Sequence, residues 1–370
     1  MQPDRTYKII ISGGGTGGHI FPAIAIADGL RDSELPVEIL FVGAKGRMEM
    51  EKVPAAGYKI EGLEISGFQR SLSLQNLSFP FKVLRSLQHA RQIIKTFQPD
   101  IAIGVGGYAS GPLLFAAASK GVPTVIQEQN SYPGVTNKIL SKRAKRIFVA
   151  YPDMEKFFPA DKIVYSGNPV RTAITAPLPG KEESCRFFGL DPSKPVVLSF
   201  GGSLGALTLN DSIEQGIGKF HQANIQVIWQ TGSYYYKGIT GRWKDRVPAG
   251  ILIKEFLKEM HYAYGAADLI ISRAGALSIS ELCIVGKPTI LVPSPNVAED
   301  HQIKNAMALV NHQAAILVKD AEARTVLCDS AIETLKQPEL LRQLSTQIKT
   351  LGKADATATI VNNIINILRG

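Results

Sequence analysis

Cysteine is scarce in this chain of 370 residues, and its three cysteines, Cys185, Cys283 and Cys328, stand far apart. No two of them form a CxxC pair, so neither a disulfide framework nor a zinc site is expected, which fits a reducing cytoplasm. No cluster of His, Cys and carboxylate residues has metal-ligand spacing, and no DxD motif follows an apolar strand. We therefore expect no bound metal and no cofactor.

Long apolar runs are also absent. No window approaches the roughly 18 apolar residues that a membrane-spanning helix needs. The first residues, MQPDRTYKIII, lack the basic stretch and apolar core of a signal peptide. The chain is thus not expected to cross a membrane. It has no GxxxxGKS/T run either, which argues against ATP hydrolysis of the P-loop type.

Acidic residues are outnumbered, since 41 Lys and Arg against 32 Asp and Glu give a formal charge of +9. Such an excess suits an anionic partner, whether nucleic acid, a nucleotide or an acidic lipid surface, although many enzymes simply have basic surfaces. A nucleic-acid-binding module needs aromatic residues among its basic runs, and the basic run Lys138–Arg146 has none. No nucleic-acid partner is predicted.

Short apolar strands alternate with helical patterns along most of the chain. This alternation predicts an α/β fold with parallel sheets and right-handed crossovers. The predicted strands lie near Tyr7–Ile11, Val37–Val42, Asp100–Val105, Thr124–Gln127, Arg146–Ala150, Pro195–Phe200, Ile225–Gln230, Ile251–Lys254, Leu269–Ser272 and Thr289–Val292.

The chain is too long for one typical core, so two domains are expected. KIIISGGGTGG in the first half is echoed by VVLSFGGSLGA in the second, which predicts two Rossmann-like domains whose parallel sheets face a cleft. Pro and Gly residues mark a linker at Ser166–Arg171 and the following TAPLPGKEES. We predict domains of residues 1–168 and 169–352, and assign an amphipathic C-terminal helix, about 353–370, to the first.

The run GGGTGGH, Gly13–His19, lies between an apolar strand and a helical pattern that begins at Ile20. Its glycines are expected to leave backbone N–H groups bare at a helix N-terminus, where a diphosphate prefers to bind. His19 directly follows the last glycine, so a titratable imidazole stands at the edge of this anion site. The loop thus offers a phosphate cradle and a candidate base.

A dinucleotide dehydrogenase is the obvious alternative, because Gly13, Gly15 and Gly18 also satisfy GxGxxG. That class needs an acidic residue about 20 positions further on, at the tip of the second strand, to hold the ribose. Here the second strand ends Phe41-Val-Gly-Ala44 without a carboxylate. This absence argues against a dehydrogenase.

Two further polar segments follow apolar strands in the first half. Gly104–Pro112 is either a tight turn whose glycines allow close packing or, given Tyr108 and Ser110, part of a polar pocket wall. Gln127–Asn130 places four amide and carboxylate side chains at a strand's end, where a plain turn would use Gly, Pro or Asp. They are expected to hydrogen-bond a polyhydroxylated ligand.

The second half repeats the strand, glycine loop and helix arrangement at Gly201–Ala206, where Ser203 is a candidate donor to a phosphate oxygen. Ser272–Leu282 again puts small residues at a helix start, and Glu281 within it is suited to accept both hydroxyls of a ribose. The alternative is a capping box, Ser278-x-x-Glu281, which needs no ligand. Ala298–Ala306 carries further polar residues just after an apolar strand.

Seven segments in one order, from residue 14 to about 306, resemble the MurG family of UDP-N-acetylglucosamine-dependent transferases, part of glycosyltransferase family 28. They are GGTGGHIFPAIAIA, GVGGYASGP, QEQN, GNPVR, FGGSLGA, SRAGALSISE and DHQIKNA. The resemblance implies a GT-B fold and an inverting transfer of GlcNAc from UDP-GlcNAc to the C4 hydroxyl of undecaprenyl-diphosphate-MurNAc-pentapeptide, which converts lipid I to lipid II in peptidoglycan synthesis. A different GT-B enzyme, with another UDP-sugar and acceptor, is the alternative.

The resemblance also implies substrate-binding positions in this sequence. One position, Leu257, matches a backbone contact to uracil, Glu281 matches the ribose contact and Gln302 a contact to sugar hydroxyls. The remaining positions match contacts to the donor sugar, the diphosphate or the nucleotide: Thr16, Gly17, Gly18, Asn130, Arg171, Ser203, Ala276, Leu277, Ser278, Ile279 and Ser280. Some relatives have His where this chain has Gln127, and some have a Gln pair where it has His301-Gln302.

A single displacement at the anomeric carbon is the expected mechanism. His19 takes the proton from the acceptor hydroxyl, with Tyr108 and Glu128 as competing candidates for the base. UDP leaves towards the helix start at Gly275–Ser278, and Arg171 is the expected cation at the diphosphate. The alternative for His19 is a residue that only hydrogen-bonds the diphosphate.

The lipid-linked acceptor implies that the first domain docks on an anionic membrane surface, peripherally, at the cytoplasmic face of the inner membrane. Apolar and basic residues mix in Phe68–Arg85, and Lys138–Arg146 adds a basic cluster. The alternative for the first segment is a core helix with a solvated rim. The sequence leaves protein partners open. The apolar and basic residues are Leu72, Leu74, Leu77, Phe79, Phe81, Leu84, Arg70, Lys82 and Arg85, then Lys138, Lys142, Arg143, Lys145 and Arg146.

Overall fold

The computed structural model describes residues 5–65, 79–170, 172–297 and 300–370. The chain divides into two compact units, Met1–Val170 with Ala354–Gly370, and Arg171–Lys353. Each unit contains one sheet in which every strand pair is parallel.

The first unit is a seven-stranded sheet with helices on both faces. Its elements are β1 (Tyr7–Gly13), α1 (Gly17–Arg31), β2 (Val37–Ala44), α2 (Glu49–Ala55), β3 (Lys59–Leu63), α3 (Phe79–Phe97), β4 (Ile101–Gly106), α4 (Ser110–Ser119), β5 (Thr124–Glu128), α5 (Val135–Leu140), β6 (Arg146–Val149) and β7 (Ile163–Tyr165). The strand order is β3-β2-β1-β4-β5-β6-β7. The carboxyl ends of β1, β4 and β5 are therefore neighbours, and the loops that follow them meet at one edge of the sheet.

Successive side chains of β1 are buried on alternate faces of the sheet, and helices cover both faces. Ile9 and Ile11 are buried in one hydrophobic cluster, which α1 shares, whereas Ile10 is buried in a second cluster with residues of α3 and α4. Because successive strand residues point to opposite faces, a continuous apolar run is buried on both sides. The apolar strand predicted before the first glycine run is thus buried on both faces.

The second unit has a six-stranded sheet of order β10-β9-β8-β11-β12-β13. Its elements are α6 (Thr172–Thr175), α7 (Lys181–Phe188), β8 (Val196–Phe200), α8 (Leu207–Gln222), β9 (Gln226–Gln230), α9 (Tyr236–Trp243), β10 (Ile251–Lys254), α10 (Met260–Ala266), β11 (Leu269–Ser272), α11 (Ala276–Val285), β12 (Thr289–Leu291), α12 (His301–Val310), β13 (Ile316–Leu317), α13 (Asp320–Leu335) and α14 (Pro338–Thr350). The loops after β9, β8, β11 and β12 therefore follow neighbouring strands.

The last helix, α15 (Ala356–Arg369), packs against α1 of the first unit. A Cβ on Gly29 of α1 would lie 2.8 Å from Thr357 Cγ2 and 3.0 Å from Val361 Cγ2, so the two helices approach closely at this glycine. Ile360, Val361 and Ile364 are buried in the same cluster as Ile9 and Ile11. The apolar face predicted for this helix is thus the face that it buries.

The predicted α/β fold with two parallel sheets is confirmed, and each of the ten predicted strands is present, with its ends within two residues of the prediction. Three strands were missed: β3, β7 and β13. All three lie at sheet edges and are short or only partly buried, so they lack the continuous apolar run by which central strands are recognised. The predicted linker was too long, because its KEES residues begin α7.

The cysteines are free and buried. Burial raises the pKa of the Cys283 and Cys328 thiols to about 12, so they are protonated and poorly nucleophilic at neutral pH. In the part of the chain that the structure describes, no helix combines the length and apolarity that a membrane span requires.

Candidate functional site

The first unit has two glycine loops, Gly13–His19 at the end of β1 and Gly104–Pro112 at the end of β4, and their backbones are in contact. Gly107 has φ +89°, and a Cβ there would overlap the carbonyl oxygen of Gly14. Gly106 has φ +101°, and a Cβ there would lie 2.6 Å from His19 Cδ2. Only glycine combines these positive φ angles with such close approach. Close packing therefore explains the glycines at 106 and 107, and it lays the His19 ring against the second loop.

His19 lies in the first turn of α1, and the Nδ1 atom of its ring contacts two groups of the same loop. Nδ1 is 3.0 Å from the carbonyl oxygen of Gly14 and 3.4 Å from Thr16 Oγ1. A carbonyl oxygen only accepts hydrogen bonds, so the shorter contact assigns the proton of a neutral imidazole to Nδ1. Nε2 is then the nitrogen with the lone pair, as a general base requires.

A buried carboxylate lies behind the first loop, which the sequence analysis missed. Glu49, at the start of α2, accepts the backbone N–H of Gly15 at 2.8 Å and that of Ala44 at 3.0 Å, and it is 1% exposed. A Cβ on Gly14 would overlap this carboxylate. The expectation of bare N–H groups is therefore wrong at Gly15, whose donor is already engaged.

Glu49 also completes the case against a dehydrogenase. A carboxylate does reach the end of β2, but it comes from α2 and both its oxygens face backbone donors. It is not turned outwards, as an acid that holds a ribose must be.

Of the polar residues predicted for the second glycine loop, only one is accessible. Tyr108 is 47% exposed, and its Cε2 lies 4.0 Å from the position of a Cβ on Gly15, so its ring borders the first loop. Ser110 is fully buried at the start of α4. The expectation that Ser110 belongs to a pocket wall is therefore wrong.

Glu128, a candidate base, is buried at the end of β5 and 2% exposed. It accepts hydrogen bonds from Asn137 Nδ2 at 2.8 Å, from the backbone N–H of Asn130 at 3.1 Å and its Nδ2 at 3.3 Å, and from the N–H of Gly134 at 3.3 Å. Burial raises the pKa of this carboxyl, although the four donors oppose the shift. The arrangement favours a role in placing Asn130 over direct proton transfer.

The two glutamines of the QEQN segment also turn into the protein. Gln127 Nε2 donates to Asn168 Oδ1 at 2.7 Å, Gln129 Nε2 donates to the carbonyl of Val105 at 2.7 Å, and Asn168 Nδ2 returns a bond to the carbonyl of Gln129 at 3.0 Å. Gln129 also donates to Gln127 Oε1. The expectation of ligand contacts is wrong for Gln127 and Gln129, which instead tie the ends of β4 and β5 to the segment before Pro169.

In the second unit, Ser203 is exposed on the loop after β8, and this loop packs against the loop after β9. Gly202 and Gly205 have φ +92° and +90°, and a Cβ on Gly205 would overlap the carbonyl of Thr231. The backbone N–H of Ser233 donates to the carbonyl of Ser203 at 3.1 Å. The close approach of two loops again requires glycine.

Gln230, at the end of β9, joins this loop to the next and was not predicted. Its Nε2 donates to the carbonyl of Gly202 at 3.1 Å, and its Oε1 accepts the N–H of Leu257 at 2.9 Å. A glutamine that directly follows the apolar residues Val227–Trp229 is the signal that was available. Because the N–H of Leu257 is engaged, the carbonyl of that residue is the backbone group suited to a uracil N–H.

The start of α11 shows whether Ser278 is the N-cap of this helix, as the capping-box alternative requires. The N-cap is Gly275, in an extended conformation, and the helix begins at Ala276, so Ser278 already lies inside the helix. The capping-box alternative is wrong. Glu281 lies one turn further and its Oε2 accepts the hydroxyl of Tyr264 at 3.2 Å.

The other predicted positions of α11 differ in side-chain burial, and the one on α12 is oriented by a hydrogen bond. The side chain of Ile279 is buried, whereas Ala276, Leu277, Ser278 and Ser280 are half-buried. In α12, Gln302 Oε1 accepts the N–H of Ser294 at 2.9 Å, which orients its amide.

Some predicted residues lie outside the described part of the chain. Arg171 is one of them, and so is most of the segment Phe68–Arg85, from residue 68 to residue 78. Among the residues that are described, no group of three or more His, Cys, Asp or Glu is placed to hold a metal ion.

Comparison with known proteins matches both units. Residues 9–149 match the glycosyltransferase family 28 N-terminal domain and residues 196–360 match its C-terminal domain. A protein of Cytophaga hutchinsonii is 57% identical over 368 residues, covering 100% of this chain and 99% of its own length. It is called UDP-N-acetylglucosamine–N-acetylmuramyl-(pentapeptide) pyrophosphoryl-undecaprenol N-acetylglucosamine transferase.

Solved structures show the same fold. The crystal structure of Acinetobacter baumannii MurG is 28% identical, with a TM-score of 0.78, over 98% of this chain and 100% of that chain. CalG4, the calicheamicin glycosyltransferase, is 13% identical with a TM-score of 0.73 over 99% of both chains, and this similarity concerns the fold alone.

Gln230→Ala is predicted to weaken UDP binding about tenfold or more. It removes two hydrogen bonds that hold the Ser203 and Leu257 loops, and each is worth about 1 kcal/mol. Titration calorimetry with UDP measures the effect. Gln226→Ala is the matched control, because Gln226 also lies on β9 and bonds the backbone N–H and carbonyl of Asp191, at the other end of the strand. Equal UDP affinity of the two variants would contradict the prediction.

Proposed function

Since this chain belongs to glycosyltransferase family 28 and has the GT-B fold, we propose that it transfers GlcNAc from UDP-GlcNAc to the C4 hydroxyl of undecaprenyl-diphosphate-MurNAc-pentapeptide. The product is lipid II, the precursor of peptidoglycan. The observation that carries this proposal is the 57% identity to the Cytophaga hutchinsonii transferase over the whole chain. The site geometry supports the roles of individual residues.

In this mechanism the acceptor oxygen attacks the anomeric carbon of GlcNAc while His19 Nε2 takes the hydroxyl proton. The bond from that carbon to the diphosphate breaks, UDP leaves, and the configuration inverts. The contact of Nδ1 with the carbonyl of Gly14 supports this role, because it leaves the lone pair on Nε2. Tyr108, exposed beside Gly15, is the second candidate for the base.

The donor is assigned to groups of the second unit. Uracil pairs with the carbonyl of Leu257, and Glu281 accepts the ribose hydroxyls. The diphosphate binds at Ser203 and at the N–H groups of α11 from Ala276 onwards, which the helix dipole favours. Arg171 and the amide of Gln302 complete the proposed contacts, to the diphosphate and to a sugar hydroxyl.

A second set of proposed contacts, to the reacting sugar, comes from groups of the first unit. Thr16, Gly17 and Gly18 open α1, and the first-turn N–H groups of a helix have no partner within that helix. Asn130 follows β5, which β4 separates from β1 in the sheet, and it is held by the buried Glu128. These residues bind the donor sugar and its diphosphate, whereas His19 takes the proton.

Release of UDP from UDP-GlcNAc in the presence of the lipid-linked muramyl acceptor tests the function. His19→Ala is predicted to lower kcat by about 10²–10⁴ while the Kd for UDP changes no more than a few-fold, because a general base acts in the transition state. His221→Ala, which removes an exposed histidine at the end of α8, is the control.

The outcomes separate the alternatives. Turnover of His19→Ala within a few-fold of wild type would show that His19 is not the base. A large loss of UDP affinity with little loss of kcat would show that His19 only binds the diphosphate. Turnover of another acceptor, but not of the muramyl lipid, would favour a different GT-B transferase.

We also propose that the first unit docks on an anionic membrane surface, as a lipid-linked acceptor requires. Val135 and Ile139 on α5 are 60% and 64% exposed, Lys138 lies three residues after Val135 on the same side of this helix, and the exposed Lys142 follows shortly after its end. The guanidinium of Arg143 lies 5.1 Å from the ring centre of Phe115 on the neighbouring α4. Exposed apolar side chains among cations are suited to the headgroup region of an acidic leaflet.

The free thiols support a reducing compartment, so this docking is assigned to the cytoplasmic face of the inner membrane. The basic cluster continues through Lys145 and Arg146, which are exposed. Leu84 on α3 is a further exposed apolar residue, and it belongs to the segment predicted for docking.

The double substitution Val135→Glu, Ile139→Glu is predicted to reduce flotation with anionic vesicles at least severalfold, because it replaces apolar anchors with charges that the leaflet repels. UDP affinity is expected to stay unchanged. Val326→Glu, at an exposed valine on α13 of the second unit, is the matched control. Undiminished flotation of the double variant, or a wild type that does not float with these vesicles, would contradict the docking proposal.

A further inference from the structure

We propose that Glu49 is a positioning residue for His19, acting through the peptide bond between Gly14 and Gly15. Its carboxylate holds that peptide so that the imidazole keeps its proton on Nδ1 and its lone pair on Nε2. The inference rests on the proposed role of His19 as general base, and it adds the group that prepares His19 for that role.

One peptide group connects the two side chains. Its N–H, from Gly15, donates to Glu49 Oε2 at 2.8 Å, and its carbonyl oxygen, from Gly14, accepts from His19 Nδ1 at 3.0 Å. Carboxylate, peptide and imidazole therefore form one hydrogen-bonded chain. Residue 49 is 30 positions from the histidine in sequence, and neither side chain needs to touch the other.

The physical effect of this chain is polarisation. A carboxylate that accepts a peptide N–H draws positive charge towards the nitrogen and leaves the carbonyl oxygen more negative, which strengthens the bond that this oxygen accepts. The carbonyl of Gly14 thus becomes a better acceptor for Nδ1–H of His19. It also stabilises the imidazolium that forms when Nε2 takes a proton, much as a directly bonded carboxylate would.

The fold is built to admit this carboxylate. Glu49 Oε1 is fixed by the N–H of Ala44 at 3.0 Å, so the side chain spans the end of β2 and the loop after β1. A Cβ on Gly14 would overlap the carboxylate, and a Cβ on Gly43 would lie 2.5 Å from Glu49 Cγ. Two glycines therefore make room for one side chain. Both carboxylate oxygens accept hydrogen bonds from backbone N–H groups. A glutamine at this position would place its NH₂ donor opposite one of these N–H donors, and that hydrogen bond would be lost.

The wild-type protein gives the first test. Nitrogen-15 spectra of the histidine side chains, assigned with His19→Gln and recorded where imidazole is neutral, report which nitrogen carries the proton. The proposal predicts the tautomer with hydrogen on Nδ1 of His19. The tautomer with hydrogen on Nε2 would overturn it. This result requires no variant of Glu49, so it can overturn the proposal even if such a variant does not fold.

Glu49→Gln gives the second test. Its kcat is predicted to fall about tenfold or more, but by less than that of His19→Ala, because general-base catalysis is worth about 10²–10⁴ in total. The Kd for UDP is expected to change no more than a few-fold, because the uracil and ribose contacts are assigned to the second unit. Glu51→Gln is the matched control, since it removes the same charge from an exposed side chain of the same helix.

A double variant distinguishes positioning from general loosening of the loop. If Glu49 acts through His19, then Glu49→Gln costs nothing further in the His19→Ala background. An equal loss in both backgrounds would overturn the proposal. If His19→Ala itself keeps full turnover, the base assignment fails instead, and the wild-type tautomer still reports on the link between Glu49 and the imidazole.

Discussion

Backbone contact between the loops after β1 and β4 is the constraint on which the site of the first unit depends. At Gly107 the second loop lies against the carbonyl of Gly14, and at Gly106 it lies against the His19 ring. No side chain beyond hydrogen fits between them. The parallel pairing of β1 with β4 brings these loops together, and the missing Cβ atoms let them close.

The loops of both units are fixed by buried polar side chains near strand ends. Glu49 holds the loop after β1, Glu128 holds Asn130 after β5, and Gln230 holds the loops that carry Ser203 and Leu257. Each binds backbone N–H or carbonyl groups that would otherwise move independently. Side chains and peptide groups that are fixed before substrate binds need not be ordered in the transition state, which lowers the barrier to reaction.

The sequence predicted the architecture well because its signals are local. Apolar runs such as Ile9–Ile11 are central strands, and glycine runs after them are the loops of the site. Edge strands were missed since β3, for example, has charged residues at its first and third positions and a glycine at its fourth. Glu49 was missed because nothing in the sequence shows that a glutamate on α2 turns back to a glycine loop 34 residues earlier. Likewise, the burial of Gln127 and Gln129 depends on Asn168, which the fold brings to them.

The most direct test of this account is the turnover of Gly107→Ala with UDP-GlcNAc and the lipid-linked acceptor. A methyl group there must push the two loops apart, so kcat is predicted to fall about as far as in His19→Ala. The Kd for UDP is expected to change no more than a few-fold, because the uracil and ribose contacts are assigned to the second unit. Gly121→Ala is the control, because Gly121 also has a positive φ, +78°, but open space around its Cβ. Normal turnover of Gly107→Ala would contradict the central claim that the loop contact positions the base.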